Sequence, residues 1–301
     1  MSGIYVEIDL RCSMEDLWGR TQTPELHQQW DLRFTDIEYL PRPDPTLPQR
    51  FLYKTRIGFG LNISGEGESV GTHESNGSRS SALKFWSADS KSLIRQGSGY
   101  WQYIPLPNGI RFLTWYDYST RFGVAGRLLD SVAFRPMLGW ATAWSFDRLR
   151  LWLEENKDPA ESLRQSLVYC VSRVGVAFVW IYHGLIPKIV FPHQDELKML
   201  IASGVPEPSV GTAILLVGLA ETALGFLMLI AWQARSLFVL TIILMIVALL
   251  SVAVTAPDYL IAAFNPVTLN LLVIGLSTIG LVAAKDLPSA SRCRRAKKEP
   301  V

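Results

Sequence analysis

Apolar and polar residues change their rhythm halfway along the chain. Before about residue 160 they alternate over short stretches. From Leu167 onward they merge into four apolar runs: Leu167 to Pro187, Val210 to Trp232, Ser236 to Ala256, and Leu260 to Ala284. Each run is near the roughly 20 residues a helix needs to cross about 30 Å of hydrocarbon. The pattern predicts a water-soluble domain over residues 1–160, a four-span bundle over 161–286 and a basic tail over 287–301.

Within the first half, Ile4, Val6, Ile8 and Leu10 alternate with Glu7, Asp9 and Arg11, as a half-buried strand requires. A longer period of two runs from Arg50 to Ser64, with Phe51, Tyr53, Thr55, Ile57, Phe59, Leu61 and Ile63 on one face; it reads as a long strand or one arm of a hairpin. Further strands are expected at Ser81 to Trp86, Leu93 to Ile104 and Ile110 to Thr120, parted by turn signals at Asn76-Gly77 and Pro107-Asn108-Gly109. Ser13 ahead of Glu15 and Asp16 is an N-cap signal, and Pro24 opens a second short helix ending near Trp30. Val124 to Glu155 reads as a long helix bent at Pro136. The expected sheet is antiparallel and sequential.

Charge narrows the partners. A net charge of +2 with scattered basic residues does not form the stripe that nucleic-acid backbones need. The opening MSGIYVEIDLR lacks the apolar core of a signal peptide, so the first span is expected to act as an internal start signal. Cys12, Cys170 and Cys293, like His27, His73, His183 and His193, are too dispersed to announce a disulfide framework or a metal site, and no metal or cofactor is expected. Arg148, Arg150, Lys157, Arg164, Arg235, Lys285 and the basic tail place eleven Lys and Arg on one side of the bundle, against Lys188 and Lys198 on the other. By the positive-inside rule both termini and the soluble domain then face the cytoplasm, in the cell's inner membrane, and the sequons at Asn62 and Asn76 are chance matches.

The order of strand, two short helices, curved sheet and long helix resembles the helix-grip fold of the START, Bet v 1 and polyketide-cyclase (SRPBCC) superfamily, over about residues 3–156. The fold class is thus α+β for the first half, a curved antiparallel sheet around a long C-terminal helix, followed by an all-α transmembrane bundle. The resemblance implies an apolar cavity, since most members bind lipids, polyketides or similar molecules and some are enzymes. Phe51, Tyr53, Phe59, Tyr100, Phe112, Tyr116 and Tyr118 are the cavity candidates, although any one such ring is more often ordinary core than a ligand contact. Gly58-Phe-Gly60 is not a dinucleotide loop, because strand-like sequence follows it. Trp140, Trp144, Phe146 and Trp152 among Arg148 and Arg150 suit either a headgroup layer or the core under the sheet.

Arg173 and Glu221 stand in the first and second spans, where a charge costs about 2.5–3.5 kcal/mol unless it turns inward and pairs. Counting at 1.5 Å per residue puts them about 9 and 14 Å from the cytoplasmic side, which predicts a buried pair between them. His183, Asn265 and Asn270 are expected as a second polar group toward the outer side. The stretches from Ser172 to Lys188, Gly218 to Gly225 and Phe264 to Asn270 resemble the DoxX-like membrane family. That resemblance implies a four-helix bundle, found in some relatives with quinone-reducing or oxidative-stress complexes. Three functions follow. The leading one is a membrane-anchored binding protein that captures an apolar small molecule, whether lipid, polyketide or quinone-like. The others are an accessory subunit of an oxidoreductase partner and a structural membrane protein without turnover.

Overall fold

The computed structural model describes residues 3–44, 46–58, 60–263 and 265–297. The chain divides into two compact units, residues 1–162 with 288–301, and residues 163–287.

The first unit opens with β1 (Ile4–Leu10), α1 (Met14–Gln22) and α2 (Pro24–Trp30). Ser13 caps α1 by accepting from the Asp16 N–H at 3.1 Å, and Pro24 occupies the first turn of α2, as their positions in sequence predict. Six strands follow: β2 (Asp36–Tyr39), β3 (Gln49–Gly58), β4 (Leu61–Ser75), β5 (Ser78–Trp86), β6 (Ile94–Leu106) and β7 (Gly109–Thr120). All pair antiparallel in the order β1-β7-β6-β5-β4-β3-β2, so the sheet is sequential except that β1 crosses to join β7. Asn76 and Gly77, both at positive φ, make the β4–β5 turn. The long alternation from Arg50 to Ser64 is a hairpin, β3 turning into β4. Ile57 and Leu61 are exposed at its tip, where no core lies beneath them.

After β7 come α3 (Gly123–Leu129), a π-type turn over Asp130–Phe134, and α4 (Arg135–Glu155). The irregularity precedes Pro136 instead of falling at it. Proline lacks an N–H and crowds the carbonyl four residues back, and the widened turn before it absorbs both problems. Even-numbered β1 residues face α4, opposite Ile110, Phe112, Thr114 and Tyr116 of β7. Phe146 of α4 stacks on Phe112 at 4.5 Å. Trp30, Tyr103, Phe112, Phe146 and Leu149 are fully buried there. Of the tryptophans ahead of the first span, Trp144 is buried, Trp140 is exposed, and Trp152 lies under the Arg20 guanidinium at 4.0 Å.

The chain leaves this unit and later returns to it. Arg294 forms a β-bridge with Glu7 on the otherwise open edge of β1, with both backbone bonds made, at 2.9 and 3.0 Å. The Ser289 N–H donates to buried Asp147 at 2.7 Å, and the Cys293 thiol to the Ala143 carbonyl at 3.2 Å. Burial pushes that thiol up to about 12. Residues 288–297 are therefore a strap that closes one edge of the sheet.

The second unit holds α5 (Pro159–Gly184, which begins in the first unit), a π-type turn over Leu185–Val190, α6 (Gln194–Ala202), α7 (Val210–Ile230), α8 (Ser236–Thr255) and α9 (Pro266–Ala283). Four of these helices are long and apolar enough to cross a membrane: Pro159–Val190, Glu207–Ile230, Ser236–Thr255 and Pro266–Ala283. Tyr169, Val176, Trp180, Met228, Leu237 and Phe238 form its core. A Cβ on Gly184 would meet the Gly218 carbonyl at 2.5 Å, and one on Gly225 the Ala177 carbonyl at 2.8 Å. Only glycine lets α5 and α7 approach this closely.

Candidate functional site

The inner face of the first unit, the face turned toward α4, divides into a filled end and a half-open end. The filled end lies under β1, β7 and α4. Toward β3, β4 and β5 the rings are only half-buried: Phe51, Tyr53 and Phe85 lie flat over Gly67, Gly65 and Gly97 of the adjoining strands, where a Cβ would come within 2.2 to 2.4 Å of them. These glycines turn three rings into a floor.

A polar cluster sits against this floor. The loop after α2 brings back Asp31, which has no exposed side-chain surface, and Arg33, whose Nε and Nη2 fork onto its two oxygens at 2.9 and 2.6 Å. His27, one turn earlier on α2, reaches the same carboxylate at 3.0 Å. Rings enclose the group: His27 meets Trp30, Phe34 and Trp101 at 4.9 to 5.2 Å, and Arg33 stands over Tyr116 at 5.4 Å. Burial alone would raise the Asp31 carboxyl. The Arg33 charge and the hydrogen bonds from His27 and Arg33 overrule it and hold the group well below the usual range. Burial pushes His27 down, against the pull of Asp31, so the imidazole is neutral. The Tyr116 hydroxyl bonds Thr142 of α4 at 2.8 Å, and the Tyr118 hydroxyl bonds buried Asp130 at 2.6 Å.

The candidates from sequence thus part company. Phe51 and Tyr53 are on the half-open floor, Tyr116 beside the cluster, Phe112 in the filled end, and Tyr118 on Asp130. Tyr100 is on the opposite face, stacked on Trp115 at 6.0 Å, because it pairs with an odd-numbered β7 residue; with Gly3, Tyr5 and strap residues Arg295 to Lys297 it lines a groove of about 560 Å³. Phe59 lies outside the described residues. His27, Asp31 and Arg33 were missed, although His27 and Asp31 stand at the i,i+4 spacing that joins two side chains on one helical face.

In the second unit Arg173 and Glu221 do not pair. Arg173 is fully buried, but its Nε donates to the Met228 carbonyl at 2.7 Å, its Nη1 to Ala234 at 2.9 Å and Tyr169 at 3.0 Å, and its Nη2 to Ala231. It caps the C-terminal end of α7, where unpaired carbonyls and the helix dipole favour a cation. Glu221 instead lies 3.0 Å from Lys188 Nζ, which is also 3.3 Å from Glu196 on α6. The π-type turn at Leu185–Val190 carries Lys188 inward, where it is buried. Of the second polar group, Asn265 caps α9 by accepting from the Thr268 N–H at 3.1 Å, the His183 carbonyl accepts from Lys188, and Asn270 is buried; no hydrogen bond joins the three among the described residues.

A family model described as the DoxX-like family matches residues 177–278. The chain is 47% identical over 214 residues to the uncharacterized membrane protein YndG of Bacillus subtilis (strain 168), covering 70% of this chain and 75% of that one. Among solved structures, a STAR-related lipid transfer protein from Xanthomonas axonopodis is similar at 15% identity over 50% of this chain and 84% of its own, with a TM-score of 0.39. The di-domain ARO/CYC StfQ of the steffimycin biosynthetic pathway is similar at 12% identity over 52% of each chain, with a TM-score of 0.39.

Proposed function

The chain belongs to the family of the Bacillus subtilis membrane protein YndG, and from that premise we propose that it is a membrane-anchored binding protein whose first unit captures an apolar small molecule. The observation that supports this reading is the half-open floor of Phe51, Tyr53 and Phe85 on the inner face of a helix-grip domain fused to four membrane-spanning helices. An apolar ligand partitions into bilayers, so a capture site tethered to the membrane meets it at high local concentration. The eleven-to-two bias in Lys and Arg supports a cytoplasmic position for this unit.

The test uses the full-length protein, because the strap belongs to the capture unit. Native mass spectrometry after purification in lipid nanodiscs should show a retained apolar molecule that is released when Tyr53→Lys places a charge on the floor. Identical small-molecule content in the two proteins would overturn the reading. A second reading, an accessory role beside an oxidoreductase with the bundle handling protons, draws support from the Lys188 group, which joins two carboxylates within and beside the spans. It predicts that Glu221→Gln alters quinol oxidation in membranes while ligand retention is unchanged.

A further inference from the structure

From α3 the helical backbone runs on through the π-type turn into α4, and the outer side of its first half is an apolar stripe. Residues four apart are neighbours on a helical surface. One such row is Val124, Leu128, Val132, Pro136 and Trp140, and the row beside it is Ala125, Leu129, Ala133 and Met137. All of them are exposed, Val124, Leu128 and Val132 by 73, 64 and 72%. Such a row drifts around an α-helix, and the wider π-type turn partly winds it back, so the rows stay together. Gly126 and Asp130 turn inward instead, and the Asp130 carboxylate accepts from Tyr118 at 2.6 Å and from Arg135 at 2.9 Å. Ahead of the helix Phe122 stands at φ 65°, a costly left-handed conformation for an aromatic residue, yet it is 58% exposed, so little packing inside the unit offsets that strain.

Two polar side chains interrupt the stripe. The Ser131 hydroxyl donates to the Leu128 carbonyl at 2.9 Å, which satisfies it without water. Arg127 is exposed, and its guanidinium has no hydrogen bond or ion pair among the described residues. Asp130, the one carboxylate between residues 122 and 140, is buried. We propose that the stripe is a membrane-docking surface, seated in the headgroup layer of a phospholipid bilayer with Arg127 on a lipid phosphate. Residues 156–158 alone separate α4 from α5, which carries the first candidate span, so the unit is tethered at a bilayer and the stripe meets lipid at high local concentration. A second copy of the chain laid on the same stripe would bury Arg127 where no carboxylate faces it, whereas the headgroup layer supplies the missing anion. Trp140, at the far end of the stripe, is the residue type that this layer favours. The docking surface is independent of what the inner face of the sheet binds.

The experiment labels the full-length protein in nanodiscs of phosphatidylcholine and phosphatidylglycerol. The probe is a phospholipid with a photoactivated diazirine either beside its glycerol or at the end of an acyl chain, and labelled peptides are read by mass spectrometry. Residues 122–140 should be labelled mainly by the glycerol-side probe, and α8 by the chain-end probe. A native protein labelled on α8 but not on residues 122–140 overturns the proposal, and this arm needs no variant to fold. Equal labelling of the segment by both probes overturns the seat in the headgroup layer. Leu128→Asp combined with Val132→Asp should lower labelling of the segment about ten-fold while α8 is unchanged, and undiminished labelling would show that lipid does not meet the stripe. Arg127→Glu should lower it about five-fold; an unchanged level overturns the phosphate contact.

Discussion

Asp31 is ionised inside the protein because two neighbours of different character serve it. Arg33 supplies charge, and His27 supplies a neutral donor whose own titration burial has moved downward. The unfolded chain takes up a proton on this imidazole near its ordinary value of about 6.5, before the folded chain does. Stability owed to the neutral ring is thus complete above that pH and is lost as pH falls through the folded value, at no more than about 1.4 kcal/mol per pH unit. The unfolding midpoint of the first unit should drop between pH 7 and pH 5, and His27→Gln should flatten that slope. An unchanged slope in the variant would show that the ring is not the titrating group. Little of this was legible. Alternation marked Phe51 and Tyr53 as inward, but the five-residue loop between α2 and β2 carries no period, and only the folded chain shows Asp31 turning back under the sheet.

At the scale of the helix, α7 is held at two levels: Arg173 at its C-terminal carbonyls and Lys188 at Glu221 near its middle. Removing the charge of Lys188 strands Glu221, and Lys188→Gln should cost about 3–5 kcal/mol of bundle stability. Glu221→Gln should cost less, because Lys188 keeps Glu196. The double variant should recover part of the loss of Lys188→Gln, whereas adding Glu221→Gln should not rescue Arg173→Gln. Fluorescence-detected size exclusion of folded protein measures all five variants; rescue of the Arg173 variant would contradict the observed pairing. The spans themselves were plain in the sequence, since hydrocarbon demands unbroken apolar length. The partner of Glu221 was not, because counting turns from the helix ends assumes a regular helix, and the π-type turn at Leu185–Val190 changes the face that Lys188 presents.

On the scale of the molecule, the first unit is discontinuous in sequence, because the strap of residues 288–297 completes it after the second unit has been made. Read as a sequence, the strap is a basic tail; nothing in its composition announces a bridge to Glu7, 287 residues from Arg294. Deleting residues 288–301 opens the edge of β1 and leaves Asp147 without the Ser289 N–H. The first unit should then lose about 1–3 kcal/mol, as expected for a buried acceptor stripped of a donor, and be cut by protease at lower urea than the native protein. Equal resistance would mean that the strap adds nothing to that unit. The discontinuity also sets a timetable. A ribosome working at 5–20 residues per second takes roughly 7 to 27 s to pass from the end of α4 to the strap, and all four spans are synthesised in that interval. The N-terminal sheet is translated first yet acquires its last edge only after the membrane helices have been made, so a failure of insertion would leave a nascent chain with β1 open to any other strand nearby.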